Sequence, residues 1–410
     1  MHSQLNAPVF QSPDGERSAT WLELFFDLVF VVTVAALAHL LEEDFTWTGI
    51  GTVALIFLPI WWSWMELSYY GDLFDDNSVS YQWLMVLAML VVAQLAITLR
   101  ADGLRATDQV TLVFMALIFV SWVMYLRAYL LYPDLRWFIR RFWGAISLSL
   151  GIWALSLFVP HPWQYVCWVV ATLVQALAGP TIYLTRKDYP VQLSHMPERF
   201  GLFSIIVLGE GMVALTAVSE AEAFAWDIAW TELGAFALVV CLWKLYFYES
   251  SKDTITEQLR SDTQRSTWHS FYYGYSHYFL YLAIILISVS LLMLIETSFG
   301  HTHGGHGGNF DHHGLELMSA QGLHAGAILF LATITLIHWA APESLFPRVV
   351  AARLICIGLS VGLLLLPLAP LLELWMQVGT FSGLILVEYL IYRSHHALPT
   401  QDEAAIVEGA

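Results

Sequence analysis

The sequence predicts an all-α protein that crosses a membrane many times, and three observations support this: composition, long apolar segments and the placement of basic residues. Of the 410 residues, 58% are hydrophobic and 12% are charged, and the mean hydropathy is +0.63. A typical soluble domain has about 25% charged residues, so this chain is suited to a bilayer. The formal net charge of −17 argues against a nucleic-acid partner, because such proteins cluster Lys and Arg.

Twelve segments are long and apolar enough to be candidate spans, since a helix needs about 20 mostly apolar residues to cross a bilayer. They cover 20–41, 47–70, 80–99, 108–131, 140–160, 163–185, 199–219, 227–250, 271–296, 318–340, 349–370 and 372–393. The residues before the first segment lack the basic and apolar pattern of a signal peptide. We therefore expect the first segment to be retained as the first span.

Basic residues predict the orientation of these spans, because cytoplasmic loops are enriched in Lys and Arg. Arg100 and Arg105 fall on one side, Lys244 lies within a span, and every other Lys and Arg falls on the opposite side. We therefore expect both termini in the cytoplasm, with a tail at 1–19, a linker at 186–198 and a tail at 394–410. The His-rich loop at 299–316 is then expected outside the cell.

The chain also divides into two six-span halves, 20–185 and 199–393, with matching acidic residues. Asp27 and Glu210 lie 183 residues apart, and Glu66 and Glu249 have the same separation. An even number of spans in each half predicts parallel repeats, related by an axis along the membrane normal.

Ionisable residues inside the predicted spans are the candidate functional residues, because a charge in hydrocarbon is costly and often marks an ion or proton site. The candidates for an ion or substrate site are Asp27, Glu210, Glu23, Glu66, Glu249, Lys244 and His277. We expect Asp27 and Glu210 to line one cavity that opens to the cytoplasm. The alternative is a structural network of ion pairs: Arg17 with Asp27, Arg199 with Glu210, and Lys244 with Glu249 or Asp27.

Five histidines lie among glycines in the predicted outer loop: His301, His303, His306, His312 and His313. Imidazole groups suit Zn, Cu or Ni, but a glycine-rich backbone fixes no ligand geometry. We therefore expect adventitious metal binding at most, and no resident cofactor. The chain has no G-x-S-x-G, H-E-x-x-H or P-loop motif, so we expect no enzymatic activity.

Two motifs resemble the signatures of a known family. TWLELFFDLVFVV at 20–32 and HMPERFGLFSIIVLGE at 195–210 are similar to the two signatures of the bacterial low-temperature-requirement A (LtrA) membrane proteins. The resemblance extends roughly from Arg17 to Arg393. It implies a polytopic protein of the bacterial cytoplasmic (inner) membrane with a role in growth under stress, and it supplies no reaction or substrate.

A weaker likeness is to two-repeat endolysosomal potassium channels, whose halves each carry an Arg, three residues and then Phe-Ser-Asp in the first span. Here Arg17 is followed after three residues by Trp-Leu-Glu, and Arg199 by Phe-Ser-Ile. Because only the second half keeps the Ser and only the first keeps an acid, the resemblance implies the architecture rather than the conduction mechanism.

These observations predict a membrane protein that transports or conducts a small cation, a proton or a polar solute. The alternative is a non-transporting sensor, scaffold or binder of lipid or hydrophobic ligand in stress adaptation. The expected partners are membrane lipid and the transported solute, and we leave a homodimer open. A water-accessible cavity at Asp27 and Glu210 would favour transport, whereas a dry, salt-bridged interior would favour the alternative.

Overall fold

The computed structural model describes residues 20–74, 76, 78–185, 196–218, 226–249, 264–299, 312–339, 347–366 and 368–396. Every regular element in these ranges is helical. The helices of the first half are α1 Trp21–Glu43, α2 Trp47–Phe74, α3 Val79–Asp102, α4 Thr107–Leu131, α5 Arg136–Ser156, α6 Trp163–Ala176 and α7 Ala178–Thr185. The helices of the second half are α8 Met196–Val218, α9 Trp226–Glu249, α10 Gln264–Phe299, α11 His312–Trp339, α12 Pro347–Leu364 and α13 Pro370–His396.

Side-chain caps fix the start of α1 and of α3. The hydroxyl of Thr20 accepts a hydrogen bond from the backbone N–H of Glu23, and the Glu23 carboxylate accepts one from the N–H of Thr20. The hydroxyl of Ser78 accepts a bond from the N–H of Tyr81 in the same way. These bonds satisfy N–H groups that have no partner within the helix.

Nine helices in the described part of the chain are long and apolar enough to cross a membrane, namely α1 to α4 and α9 to α13. The prediction of an all-α, multi-pass membrane protein is confirmed. The remaining helices differ for local reasons: α5 begins with three arginines, α6 has only 14 residues, and α8 contains Glu198, Arg199 and Glu210. The number of twelve spans stays a prediction.

Neighbouring helices pack in a recurring order. In the first half α1 contacts α2 and α3, α4 contacts α3 and α5, and α6 contacts α5 and α2. In the second half α8 contacts α9 and α10, α11 contacts α10 and α12, and α13 contacts α12 and α9. The two halves meet where α1 and α2 pack against α8 and α10, and this junction positions the polar residues described next.

Candidate functional site

Helix α2 carries polar and aromatic side chains on two faces that meet different neighbours. Trp64 faces α1 and α8, where its indole N–H donates to Asp27. Trp62, Glu66 and Tyr69 lie on a second face, because residues three and four apart share one side of a helix. These three line a pocket together with residues of α4, α5, α6, α7 and α10. One helix therefore separates a buried ion pair from a mostly apolar pocket that contains a carboxylate.

The first site is a buried ion pair between the halves. Oδ1 of Asp27 accepts a hydrogen bond from Nη2 of Arg199 at 2.6 Å and from Nε1 of Trp64 at 2.8 Å. Asp27 is 0% exposed and Arg199 is 2% exposed. The predicted structural network paired Arg199 with Glu210, whereas the structure pairs it with Asp27. Arg17, the predicted partner of Asp27, lies outside the described residues.

Aromatic rings surround this ion pair. The guanidinium carbon of Arg199 lies 5.6 Å from the ring centre of Phe26 and 5.9 Å from that of Trp64. The Trp64 ring in turn lies 4.5 Å from Phe203 and 5.4 Å from Phe200. Among the described residues, Oδ2 of Asp27 and two nitrogens of Arg199 have no hydrogen-bond partner. Each charge is therefore compensated chiefly by the other, in surroundings where an unpaired charge would be costly.

Glu23 lies one helical turn before Asp27. It is 6% exposed, and its carboxylate is the acceptor in the capping box at the start of α1. The structure thus gives this predicted site residue a role in starting the helix that carries Asp27.

The second site is a partly open pocket of the first half, which α10 also lines; the roughly 490 Å³ of space that its atoms leave unfilled includes open solvent. Its lining residues come from α2, α4, α5, α6, α7 and α10 and are predominantly aromatic and aliphatic. They are Trp62, Met65, Glu66, Tyr69, Tyr125, Phe142, Ala145, Ile146, Gln175, Ala178, Gly179, Phe271 and Tyr275. Glu66 is the one acidic residue among them, and no Lys, Arg or His is present.

The lining residues come from corresponding parts of their helices. Those on α2, α4 and α6 lie in the C-terminal parts, and those on α5, α7 and α10 lie in the N-terminal parts. Glu66 is eight residues from the end of α2 at Phe74, which corresponds to about 12 Å along a helix. The same ends carry Arg136, Arg140 and Arg141, the basic residues that predict a cytoplasmic position.

The Glu66 carboxylate has no hydrogen bond or ion pair with any residue that the structure describes, although the residue is only 6% exposed. Two neighbouring side chains direct their hydrogen-bond donors to other acceptors. The amide of Gln175 donates to the hydroxyl of Ser149 at 2.8 Å, and the Tyr275 hydroxyl donates to the backbone oxygen of Ala176 at 2.5 Å. Glu66 therefore contrasts with Asp27, which has Arg199 as a counter-ion.

His277 of α10 is wholly buried and makes two hydrogen bonds. Nδ1 lies 2.7 Å from the backbone oxygen of Tyr273, which can only accept, so Nδ1 carries the proton. Nε2 then accepts from the Tyr246 hydroxyl at 2.9 Å. The imidazole also stacks on Phe200 at 4.3 Å. Both ring nitrogens are satisfied, and the ring supports the residue next to Arg199.

Three predicted site residues remain, and all lie in α8 and α9. Lys244 is half-buried in α9. Glu210 lies in α8 and Glu249 is the last residue of α9, but their side chains lie outside the described part. The expectation of one cavity lined by Asp27 and Glu210 therefore stays a prediction for Glu210, and Asp27 lies in the ion pair.

The predicted metal loop falls largely outside the described residues. His301, His303 and His306 are not described, and His312 and His313 begin α11 without described side chains. Within the described ranges no group of three or more His, Cys, Asp or Glu side chains is placed to hold a metal ion.

A buried ion pair in the second half was missed by the sequence analysis. Nε of Arg353 on α12 donates to Glu388 of α13 at 2.6 Å, and its Nη1 donates to Nδ1 of His338 on α11 at 2.8 Å. Arg353 is 0% exposed and Glu388 is 2% exposed. Arg353 had been assigned to the cytoplasmic basic residues, although its position inside segment 349–370 was the signal of a buried role.

A further ion pair fastens the turn between α2 and α3. Asp76 and Ser78 both accept hydrogen bonds from the guanidinium of Arg127 on α4. Burial raises the pKa of the Asp76 carboxyl, but the hydrogen bonds from Arg127 and Ser78 outweigh burial and hold the pKa below its ordinary value. The loop between two predicted spans is thus anchored to the helix bundle.

Helices of membrane-spanning length and ion pairs buried between them define a multi-pass α-helical membrane protein. Residues 18–387 match the family described as bacterial low temperature requirement A protein (LtrA), and the chain belongs to that family. The chain is also similar to a protein of Rhizobium meliloti (strain 1021) described as uncharacterized. The two are 25% identical over 287 residues, which cover 67% of this chain and 69% of the relative.

Proposed function

We propose that this protein is a non-catalytic membrane carrier for a small cation, and that the Glu66 carboxylate binds the cation. One observation carries the proposal: Glu66 is 6% exposed, lines a predominantly apolar pocket and has no basic partner among the lining residues. Membrane lipid and the transported cation are the proposed partners, and a homodimer is left open.

The physical reason lies in the cost of an isolated buried charge. A carboxylate in apolar surroundings either carries a proton or needs a cation beside it. At Glu66 these two ligands compete for one carboxyl group, so binding of a cation releases a proton. That competition is the elementary step of a proton-coupled exchanger. Asp27 cannot act in this way while Arg199 neutralises it, and so the proposed binding residue is Glu66.

We further propose twelve spans in two parallel six-helix halves, with both termini on the cytoplasmic side of the inner membrane. The recurring packing order of the helices supports the repeat. A matching polar contact supports it as well. Gln175 on the last pass of the first half bonds to Ser149 on α5, and Gln377 on α13 bonds to Ser360 on α12. The Glu66 cavity would then open toward the cytoplasm.

A second candidate function is a ligand-binding sensor that does not transport. The ion pair of Asp27 and Arg199 favours it, because the pair is buried among aromatic rings and joins the two halves. If the halves stay joined, the cavity can be occupied and emptied from one side only. The cavity and Glu66 would then detect a ligand rather than pass it on.

Flux in proteoliposomes tests the proposal. Vesicles with purified protein and a pH-sensitive dye inside are exposed to a panel of monovalent cations, inorganic and organic. The carrier proposal expects proton movement that depends on a cation, is lost in Glu66→Gln and is retained in Glu43→Gln. Glu43 is a matched control because it is 58% exposed and pairs only with His39 among the described contacts. Full flux in Glu66→Gln would overturn the proposal, and Glu66-dependent binding without flux would favour the sensor.

A further inference from the structure

We infer that the Glu66 cavity recognises an organic cation of the alkylammonium class rather than a bare inorganic ion. The inference rests on the proposed function for the role of Glu66, and it adds the class of ligand. It follows from what surrounds the carboxylate: several aromatic rings, and an accessible wall that is almost entirely carbon.

The rings form two clusters along the cavity wall. In one cluster, Trp62 lies 5.9 Å from Tyr275, and Phe271 lies 6.0 Å from Tyr275, between ring centres. In the other, Tyr125 stacks on Phe142 at 5.8 Å. The clusters come from four different helices, α2, α4, α5 and α10. The face of an aromatic ring attracts a cation, and the attraction grows when water is excluded.

Oxygen ligands are scarce by comparison. An inorganic cation needs several oxygen atoms to replace its hydration shell, as in carbonyl-lined selectivity filters. The accessible wall of the pocket is almost entirely carbon. Besides the Glu66 carboxylate, its side-chain oxygens are the amide oxygen of Gln175 and the hydroxyls of Tyr69, Tyr125 and Tyr275. Such a wall is a poor substitute for a hydration shell. An alkylammonium group is more weakly hydrated, because its charge is covered by carbon.

The shape of the pocket allows a ligand to enter. It is partly open, and the roughly 490 Å³ of space that its atoms leave unfilled includes open solvent. A trimethylammonium group that enters this space would have its charge beside Glu66 and its methyl groups against the rings. The same arrangement would bind a neutral molecule of equal shape less tightly, because the carboxylate would lose its counter-charge.

Equilibrium binding to the purified full chain tests the inference without requiring transport. The probes are choline and 3,3-dimethylbutan-1-ol, which has the same shape but no charge, with K⁺ as competitor. We expect choline to bind at least about tenfold more tightly than the alcohol, because only choline can form a buried charge pair with Glu66. Glu66→Gln should abolish that preference. Trp62→Leu should weaken choline binding by about 2- to 30-fold, the range of one cation–π contact.

Trp47→Leu is the matched control for the tryptophan, because Trp47 is 52% exposed and does not line the cavity; it should bind choline as the unmodified protein does. Equal binding of choline and the alcohol would overturn the inference, and so would displacement of choline by equimolar K⁺. Choline binding without flux would leave the inference standing and end the carrier proposal. Glu66-dependent K⁺ flux without choline binding would overturn the inference and leave the carrier proposal standing. Thermal unfolding of each variant verifies that it is folded.

Discussion

The side chains of Asp27 and Arg199 lie 172 positions apart in the chain and meet at 2.6 Å between α1 and α8. Trp64 of α2 donates a second hydrogen bond to the same carboxylate oxygen. Three helices from both halves are thus joined at one buried atom. The pair makes Asp27 a residue that holds the halves together, and it distinguishes Asp27 from the carboxylate in the neighbouring cavity.

Asp27→Asn should destabilise the protein strongly. The substitution leaves the buried guanidinium of Arg199 without a counter-charge, which typically costs about 3–5 kcal/mol. Thermal unfolding in detergent measures the effect. A double variant, Asp27→Asn with Arg199→Met, should recover much of the loss because no unpaired charge remains. A melting temperature for Asp27→Asn equal to that of the unmodified protein would show that the pair contributes no stability.

Glu66→Gln should have the opposite effect on stability. Glu66 has no described counter-ion, so removing its charge relieves a desolvation penalty. We expect a melting temperature unchanged or raised, measured beside Asp27→Asn under identical conditions. A fall as large as that of Asp27→Asn would contradict the absence of a partner and would place a basic group near Glu66.

The contribution of the ion pair of Arg353 and Glu388 to stability can be tested with two variants on the same helix, α12. Arg353→Gln should lower the melting temperature, because it leaves Glu388 buried and unpaired and removes a hydrogen bond to His338. Arg348→Gln is the matched control, since Arg348 is exposed on the same helix α12. If both variants melt alike, the contacts of Arg353 contribute little to stability.

The contact between Asp76 and Arg127 should make stability depend on pH at the acidic end. The pKa of Asp76 in the folded protein lies below its ordinary value of 3.8. The stabilisation is therefore fully present above pH 3.8 and is lost as pH falls through the lower folded-state pKa. The difference in melting temperature between the unmodified protein and Asp76→Asn should be constant from pH 7 to 5 and should shrink below about 4. A difference that grows on acidification would reverse the sign of this linkage.

Cysteine labelling tests the proposed orientation. In a background without Cys167, Cys241 and Cys356, a cysteine at Glu43 should react with an impermeant thiol reagent on intact cells. One at Arg140 should react only after the cells are opened, because basic loops are retained in the cytoplasm. Labelling of intact cells only at Arg140 would invert the orientation and place the Glu66 cavity toward the outside.

Most bounds of the described helices could be read from the sequence, whereas the number of twelve spans stays a prediction. The segment predicted at 108–131 is α4 at Thr107–Leu131, and that predicted at 372–393 lies within α13 at Pro370–His396. Span prediction succeeds because a helix satisfies its own backbone hydrogen bonds, so apolar length alone indicates a span. The same reasoning identified Asp27 and Glu66 as acidic residues inside the membrane region.

Only the tertiary structure decided which of these acids is neutralised. Asp27 receives Arg199 from a distant helix, and Glu388 receives Arg353, whereas Glu66 faces rings. Hydropathy reports the surroundings of a segment, but the energy of a charge depends on its distance from other charges in space. Helix neighbours set that distance, and they are fixed by packing among segments of nearly uniform apolar composition. The sequence therefore determined where the charges enter the membrane, and the packing of α1, α2 and α8 determined which of them has a partner.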